Sequence, residues 1–359
     1  MSERTLTIGF VVDVMLGRQV NAVGNMEMPG RFWGNALPLM RNADAVFANL
    51  ESPITARRNA WRRCWKAFRF RANPWMVDAL TAGNIRFVSL ANNHILDFEA
   101  GGLDDTIRNL DAARIAHAGA GLSLIQAARP AVLEIAGVLV GAISITDTMP
   151  EFAAGPDRPG THYLPIRDDR ATLALIATQV DALRGAGAQL VALSAHWGVN
   201  LRPWPSMRFR RFARAAVELG VDVFHGHSAH LIHGIEVVGR RLILYDTGDL
   251  LNDYWVFPGF RTGRSCLFLA RVTTAGLVGV RAVPMCITPG QVRLAIGKEG
   301  GRIASVLIRQ SLRLQETIGD CVPETAFTPS TELMEASRPA PAGTETICIS
   351  SLHSAAEIA

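Results

Sequence analysis

The sequence predicts a layered α/β fold, because two kinds of periodicity alternate along the chain. Short apolar runs that are typical of buried strands occur at 6–12, 45–48, 85–90, 189–194 and 221–224. Between such runs lie segments with helical spacing, as at 173–183, where apolar residues recur at intervals of three and four. Hydrophobic residues make up 49% of the 359 residues, which is ample for a large buried core.

The other elements complete one predicted domain over residues 1–327. A helix is predicted to begin at Asn73-Pro74, with proline in its first turn, and to end near Gly83. Further segments predict helices at 103–114, 209–220 and 301–314, hairpins at 131–143 and 235–245, and hairpin-like strands at 266–285. The Pro- and Gly-rich segment 150–160 fits either a loop over the site or a linker. In 328–359, Ser, Thr, Pro, Ala and Glu dominate without periodicity, which predicts a largely disordered tail.

The composition argues against a nucleic-acid-binding, a disulfide-bonded and a membrane-spanning protein. The formal net charge of +4 is a small excess for this length and no nucleic-acid-binding motif is present, so we expect no nucleic-acid partner. The five cysteines are scattered and form no C-x-x-C pair, which is typical of reduced thiols. There is no signal-peptide pattern and no run of about 18 apolar residues, which predicts a cytoplasmic protein without a transmembrane anchor. The sequence does not indicate the oligomeric state.

The stretch 89–97 is the strongest single indication of a functional site. The strand-like run 85–90 ends in Asn92, Asn93, His94 and Asp97, and a helical segment follows. Polar side chains gathered where a buried strand ends are typical of an α/β active site. The alternative is a capped turn, because Asn and Asp bind their own backbone.

Potential metal ligands and proton-transfer groups follow at least four further strand-like runs. They are Asp13, Glu51, His196 and the pair His227 and His230. In a layered α/β fold these strand ends converge on one crevice. Mixed carboxylate, amide and imidazole ligands suit Mn, Fe or Zn, and their number exceeds the needs of one tetrahedral ion. The sequence therefore predicts two divalent transition-metal ions that activate a water and bind substrate oxygens.

Residues 56–71 form a basic insert in which arginines alternate with tryptophans. Such a charge run is usually a solvated face. The alternative is a rim of the active site that binds an anionic substrate, because arginine side chains match the geometry of phosphate and carboxylate.

These motifs together resemble the CapA family, which is named for poly-gamma-glutamate capsule biosynthesis and belongs to the calcineurin-like metallophosphatase superfamily. The resemblance covers about residues 5–255 and rests on five ordered motifs, at 13–18, 48–53, 89–106, 196–198 and 225–230. It implies an α/β/β/α sandwich with the active site at the C-terminal ends of the strands.

The resemblance also implies a role for each matching residue. The metal ligands would be Asp13, Glu51 in the bridging position, Asn93, His196, His227 and His230. His94 would be the general acid with Asp97 as a second catalytic residue, and Arg18 and Asn92 would contact the substrate anion. Further candidate substrate contacts are Asn49, Trp197 and Asp249, with packing as the alternative for Trp197.

Some positions depart from the superfamily pattern. Met15 stands where calcineurin-like enzymes usually have a histidine, although CapA-like sequences share this feature, and Asp249 stands where the family usually has Asn. The expected function is a metal-dependent hydrolase acting on a phosphoester, or on an amide or ester of an anionic small molecule or polymer. The alternative is a non-hydrolytic accessory protein that binds a polyanion during capsule polymer synthesis.

Overall fold

The computed structural model describes residues 4–23, 28–254, 259, 262–316 and 347–350. These residues form eighteen strands: β1 (Leu6–Phe10), β2 (Val12–Val14), β3 (Ala45–Asn49), β4 (Ile85–Ser89), β5 (Ala116–Ala118), β6 (Ala120–Gly121), β7 (Ala131–Ile135), β8 (Val138–Thr146), β9 (Gly160–Thr161), β10 (Leu190–His196), β11 (Val223–His227), β12 (Ile235–Val238), β13 (Arg241–Leu244), β14 (Asp249–Leu251), β15 (Arg264–Thr273), β16 (Gly276–Thr288), β17 (Gln291–Leu294) and β18 (Ile347–Ser350).

The same residues form eight α-helices: α1 (Arg18–Val23), α2 (Leu37–Asn42), α3 (Val77–Ala82), α4 (Glu99–Ala112), α5 (Leu124–Ala128), α6 (Arg170–Gly185), α7 (Met207–Glu218) and α8 (Gly297–Glu316). The predicted helix after Asn73 begins as a 3-10 turn, Pro74–Met76, before it continues as α3. Helices α6 and α7 begin at the side-chain caps Asp169 and Ser206, which accept hydrogen bonds from backbone N–H groups of the first turn.

Two large sheets form the centre of the fold. The first has eight strands, of which β1, β3, β4 and β5 are parallel neighbours, and β15 extends it antiparallel to β1. The second has six strands, with β8, β10, β11 and β13 parallel and β7 and β12 at its edges. Because parallel strands need long crossovers, the helices lie between successive strands in sequence.

Alternation along the strands divides the core into three layers. In β3, Phe47 faces the core between the two sheets, whereas Val46 faces the core under the helices of the first sheet. In β10, Ala192 faces the core between the sheets and Leu193 faces the helices of the second sheet. Both faces of these strands are buried, which explains their continuous apolar runs. The result is the α/β/β/α arrangement that the sequence resemblance implies.

The segment 150–160 packs beside the basic insert. Its 3-10 turn buries Phe152, whose ring lies edge-on to Trp61 of the insert at 4.8 Å between centroids. Residues Gly160–Thr161 then pair with β6. These contacts favour the loop over the linker.

Most of the predicted tail lies outside the described residues. Its segment Ile347–Ser350 forms β18, which pairs antiparallel with β16. Within the described residues, no helix has both the length and the apolar character needed to cross a bilayer.

Candidate metal centre

The backbone is strained where the predicted ligands gather. Asp13, Ser228 and His230 have φ angles of 45°, 107° and 58°, in a region that residues other than glycine rarely adopt. Such strain is concentrated at functional sites, where the surrounding structure holds it in place. The short pair β2 and β14 fixes Asp13, because Val12 lies opposite Asp249 in parallel register.

A first group of potential ligands consists of Asp13, His196 and His227, and all three side chains are buried. The parallel register of β10 and β11 places His196 directly opposite His227. Their Nδ1 atoms lie 2.9 Å apart, and Nδ1 of His227 lies 3.9 Å from Oδ1 of Asp13. These three side chains offer ligand atoms within 4.8 Å of one another.

A second group consists of Asp13, Glu51 and His230, again all buried. Oδ2 of Asp13 lies 3.3 Å from Nδ1 of His230, and the Glu51 N–H donates to the Val14 carbonyl at 3.0 Å beside Asp13. The carboxylate common to both groups is thus Asp13. The resemblance implies Glu51 in the bridging position, and this role of Glu51 stays a prediction.

The donor set fits divalent transition-metal ions. It combines two carboxylates with three imidazoles, and Oδ1 of the neighbouring Asn93 is buried without a hydrogen-bond partner among the described residues. A buried amide oxygen normally has a partner, so this orphaned atom is available to a ligand. The observation supports the prediction that Asn93 joins the metal ligands.

The electrostatics of the cluster also favour a bound cation. Burial and the charge of Asp13 raise the pKa of Glu51 well above its usual value, because negative charges are crowded there. Burial lowers the pKa of His196 to about 3 and also lowers that of His227, which keeps both imidazoles neutral, the form that binds metals. A cation would relieve the repulsion between the carboxylates.

His94 and Asp97 form a buried pair beside the metal ligands. Nδ1 of His94 lies 2.6 Å from Oδ2 of Asp97, which also accepts the Phe70 N–H at 2.7 Å. The Phe70 ring stacks on the imidazole, with the centroids 4.0 Å apart. Burial lowers the pKa of His94, and the charge of Asp97 opposes that shift. With Nδ1 engaged by Asp97, Nε2 is the nitrogen available to a substrate.

Two predicted substrate contacts, Asn49 and Asn92, lie beneath the cluster. The amide of Asn49 donates to Oδ1 of Asp13 at 2.6 Å, and its oxygen accepts from Asn92 at 3.0 Å. Asn92 also donates to the Leu50 carbonyl and accepts the His94 N–H. Both side chains are fully buried. The structure therefore gives these two amides a supporting position rather than one open to substrate.

The other three predicted substrate contacts occupy different positions. The Arg18 side chain is 40% exposed and lies 3.5 Å from Asp253, at the rim of the site. Asp249 is buried and accepts from Nδ1 of His230 at 2.7 Å, so it orients a ligand. Trp197 is buried in the outer core, stacked on Phe209, and is a packing residue instead of a substrate contact.

Sequence reasoning missed two members of the site, Lys66 and Tyr254. The Lys66 ammonium donates to Oδ1 of Asp97 and to the Asn93 carbonyl, and it lies 3.1 Å from Nδ1 of His94. The Tyr254 hydroxyl donates to Glu51 at 2.8 Å. A signal for Lys66 existed: it is one of two lysines in a chain whose other basic side chains are arginine or histidine. Tyr254 carried no comparable signal.

Comparisons with known proteins agree with the pattern of motifs. The sequence profile of the bacterial capsule synthesis protein family PGA_cap matches residues 7–254, which contain both ligand groups. A probable polyglutamine synthesis accessory protein of Mycobacterium tuberculosis is 34% identical over 288 residues, covering 77% of this chain and 75% of that protein. Capsule biosynthesis protein CapA of Bacillus anthracis is 28% identical, covering 79% of this chain and 68% of that protein. Among solved structures, sulfate thiohydrolase SoxB of Thermus thermophilus matches with 13% identity and a TM-score of 0.37, covering 82% of this chain and 48% of that chain.

Proposed function

Because the chain belongs to the PGA_cap family of bacterial capsule synthesis proteins and has a metallophosphatase-like fold, we propose that it is a metal-dependent hydrolase. Its substrate would be a phosphoester, or an amide or ester of an anionic molecule. The observation that carries the proposal is the pair of buried ligand groups that share Asp13, with a His–Asp pair beside them. An accessory protein that only binds a polymer has no need for such a combination.

The metal ligands would be Asp13, Glu51, Asn93, His196, His227 and His230, and two ions of Mn, Fe or Zn suit this set. When bound, these ions supply an activated water and stabilise negative charge at the scissile group. The protein supports the ligands from behind, since Asn49 fixes Asp13 and Asp249 fixes His230. Such outer partners hold ligand orientation and tune the affinity for metal.

As the imidazolium, with its charge balanced by Asp97 at Nδ1, His94 would protonate the leaving group from Nε2 and become the neutral imidazole. Asp97 accepts from Nδ1, which fixes the ring and directs Nε2 away from the carboxylate. A positioned general acid contributes about 10²- to 10⁴-fold to the rate. The stacked Phe70 ring excludes water from one face of the imidazole. Together these contacts give one nitrogen atom a defined direction for proton transfer.

The substrate is proposed to be anionic. Arg18 lies at the rim, with its guanidinium carbon 5.7 Å from the centroid of the Phe68 ring, which is 59% exposed. Arg58 and Arg62 of the basic insert are also exposed. A poly-gamma-glutamate chain or another capsule polyanion would present its carboxylates to this rim.

The second candidate function is polyanion binding without hydrolysis during capsule polymer synthesis. The observation in its favour is the name of the relative from Mycobacterium tuberculosis, which describes an accessory protein. This alternative predicts binding of the polymer with the same affinity whether or not His94 is intact. It also predicts no turnover at any metal loading.

The test combines elemental analysis with turnover. The native protein and its His94→Ala, His227→Ala and His117→Ala variants are purified, analysed for metal and assayed on an aryl phosphodiester with added Mn²⁺. The proposal predicts about two ions per chain in the native protein. His227→Ala should lose metal, His94→Ala should keep metal and lose turnover, and the control His117→Ala should keep both. Native protein that binds no metal and cleaves neither the diester nor poly-gamma-glutamate would refute the hydrolase and favour the accessory role.

A further inference from the structure

We propose that Lys66 is a positioning residue of this site, whose ammonium group holds the His94–Asp97 pair in the geometry that leaves Nε2 of His94 directed at the substrate. The inference deepens the proposed function, and its turnover readout rests on that function. The basic insert would then orient catalytic side chains inside the site, in addition to any contact that its exposed arginines make with an anionic substrate.

The Lys66 side chain is more deeply buried than those of Arg57 and Arg63 in the same insert. Its side chain is only 6% exposed, whereas the side chains of Arg57 and Arg63 are 54% and 65% exposed. The ammonium nitrogen also lies 5.1 Å from the centroid of the Phe152 ring, in the loop that packs on the insert. Burying a long cationic side chain costs free energy unless its charge is paired and its donors are satisfied.

Two acceptor atoms and one imidazole surround this ammonium group. The Asn93 carbonyl and Oδ1 of Asp97 accept from it, and Nδ1 of His94, which donates to Asp97, lies 3.1 Å away. Lys66 thus connects the backbone of a proposed metal ligand to the carboxylate that orients the proposed acid. Loss of the ammonium would remove the donor of both acceptors at once.

A lysine suits this position better than an arginine. Its compact head has three donors that can point in separate directions, here at the Asn93 carbonyl and at Oδ1 of Asp97, whereas the planar guanidinium presents its donors in a fixed fork. The chain otherwise uses arginine almost exclusively, with Lys66 and Lys298 as the only lysines in its sequence. The choice of lysine matches the arrangement of the acceptors.

The insert holds the His94–Asp97 pair at two points. Lys66 binds Oδ1 of Asp97, and four residues later the Phe70 N–H binds Oδ2 of the same carboxylate at 2.7 Å. The two oxygens are therefore fixed independently, and the carboxylate plane cannot rotate freely. Because Oδ2 also contacts Nδ1 of His94, this plane sets the orientation of the imidazole.

The test uses Lys66→Met, which keeps an unbranched side chain one atom shorter and removes the charge, with Lys298→Met as the matched control. Lys298 is exposed on α8 and forms no ion pair with the described residues. In Lys66→Met, kcat on the aryl phosphodiester should fall about 10- to 100-fold, because a small misplacement of a catalytic group costs about that much. KM and metal content should stay within about twofold of the native values, because a positioning residue contacts neither the substrate nor the metal.

Chemical rescue separates positioning from a general loss of packing. In Lys66→Ala, added methylammonium should restore part of kcat, whereas methanol at the same concentration should not. An unchanged kcat in Lys66→Met would overturn the inference. A loss of kcat that is matched by loss of metal or of folded protein, with no rescue by methylammonium, would also overturn it, since it would show a structural role alone.

A second readout does not depend on hydrolysis. The ring ¹⁵N signals of His94, assigned by their loss in His94→Ala, should shift in Lys66→Met and stay in place in Lys298→Met. If the native protein has no turnover on any substrate, the proposed function fails, and these signals alone decide the role of Lys66. Unchanged His94 signals in Lys66→Met would then refute it.

Discussion

Replacing Asn49 by Leu tests whether this residue supports the metal ligands or contacts the substrate. Leu has the same branched outline as Asn and is the larger of the two, so at fully buried Asn49 the substitution removes the hydrogen bonds without leaving a cavity. The Asn49 amide donates to Oδ1 of Asp13 at 2.6 Å, and its oxygen accepts from Asn92 at 3.0 Å. After the substitution Asn92 still donates to the Leu50 carbonyl at 2.8 Å, so its amide nitrogen keeps a partner.

The expected magnitude follows from these contacts. A hydrogen bond to a charged group contributes about 1.5–3 kcal/mol net, and Asp13 loses one such bond. Removal of an outer partner of a metal ligand typically lowers metal affinity about 10- to 100-fold, which corresponds to about 1.4–2.7 kcal/mol. The two estimates agree. We therefore expect Asn49→Leu to raise the Kd for Mn²⁺ or Zn²⁺ about 10- to 100-fold.

The assay is competition for the metal with a chromophoric chelator, followed by kinetics at saturating metal. Asn109→Leu is the control, because the Asn109 side chain on α4 donates to the Ile54 carbonyl, outside the ligand groups. KM for the diester should be unchanged in Asn49→Leu once metal is saturating. Unchanged metal affinity together with a raised KM would instead show that Asn49 contacts the substrate, and would refute the supporting role.

Three further predictions concern stability. Burial lowers the pKa of His233 to about 4, so the unfolded chain binds more protons and the free energy of unfolding falls as pH drops from about 6.5 toward 4. His233→Gln should therefore remove about 2 kcal/mol of the decrease in this free energy between pH 7 and pH 5, as measured by urea unfolding at both values. Glu236 pairs with buried Arg210 at 3.3 Å, so Glu236→Gln should cost about 3–5 kcal/mol, and a cost under about 1 kcal/mol would contradict this. A Cβ on Gly226 would lie 2.3 Å from the Tyr245 carbonyl oxygen, so Gly226→Ala should destabilise by about 3 kcal/mol and weaken metal binding in the chelator assay.

The sequence was sufficient to predict that most of the candidate ligands lie close together, because their positions follow from a simple geometric rule. Buried parallel strands are continuous apolar runs, and their C-terminal ends meet at one edge of the sheet. Asp13, His196 and His227 each follow or end such a run, and the structure brings them within one cluster. The pattern therefore predicts which side chains meet without any knowledge of distances.

The same reasoning could not predict which carboxylate is shared by both groups or what surrounds it. Asp13 is the carboxylate common to both groups, and no periodicity encodes its φ angle of 45°. Lys66 lies in an insert without regular secondary structure, where spacing does not tell which side chain turns inward. Trp197 follows a ligand in sequence, yet strand alternation turns it into the opposite layer, against Phe209.

The position of Asp13 makes the site depend on how the two sheets stack. Asp13 lies in β2, which follows directly after β1, and Glu51 follows β3 of the first sheet, whereas His196 and His227 end β10 and β11 of the second. No single sheet therefore holds a complete ligand group, and the core between the sheets sets the distances across the site. Because this core is close-packed and deforms little, a shift at its centre would change both groups through their common carboxylate. If the proposed metals are held by these groups, their affinity is thus coupled to packing far from the ligands.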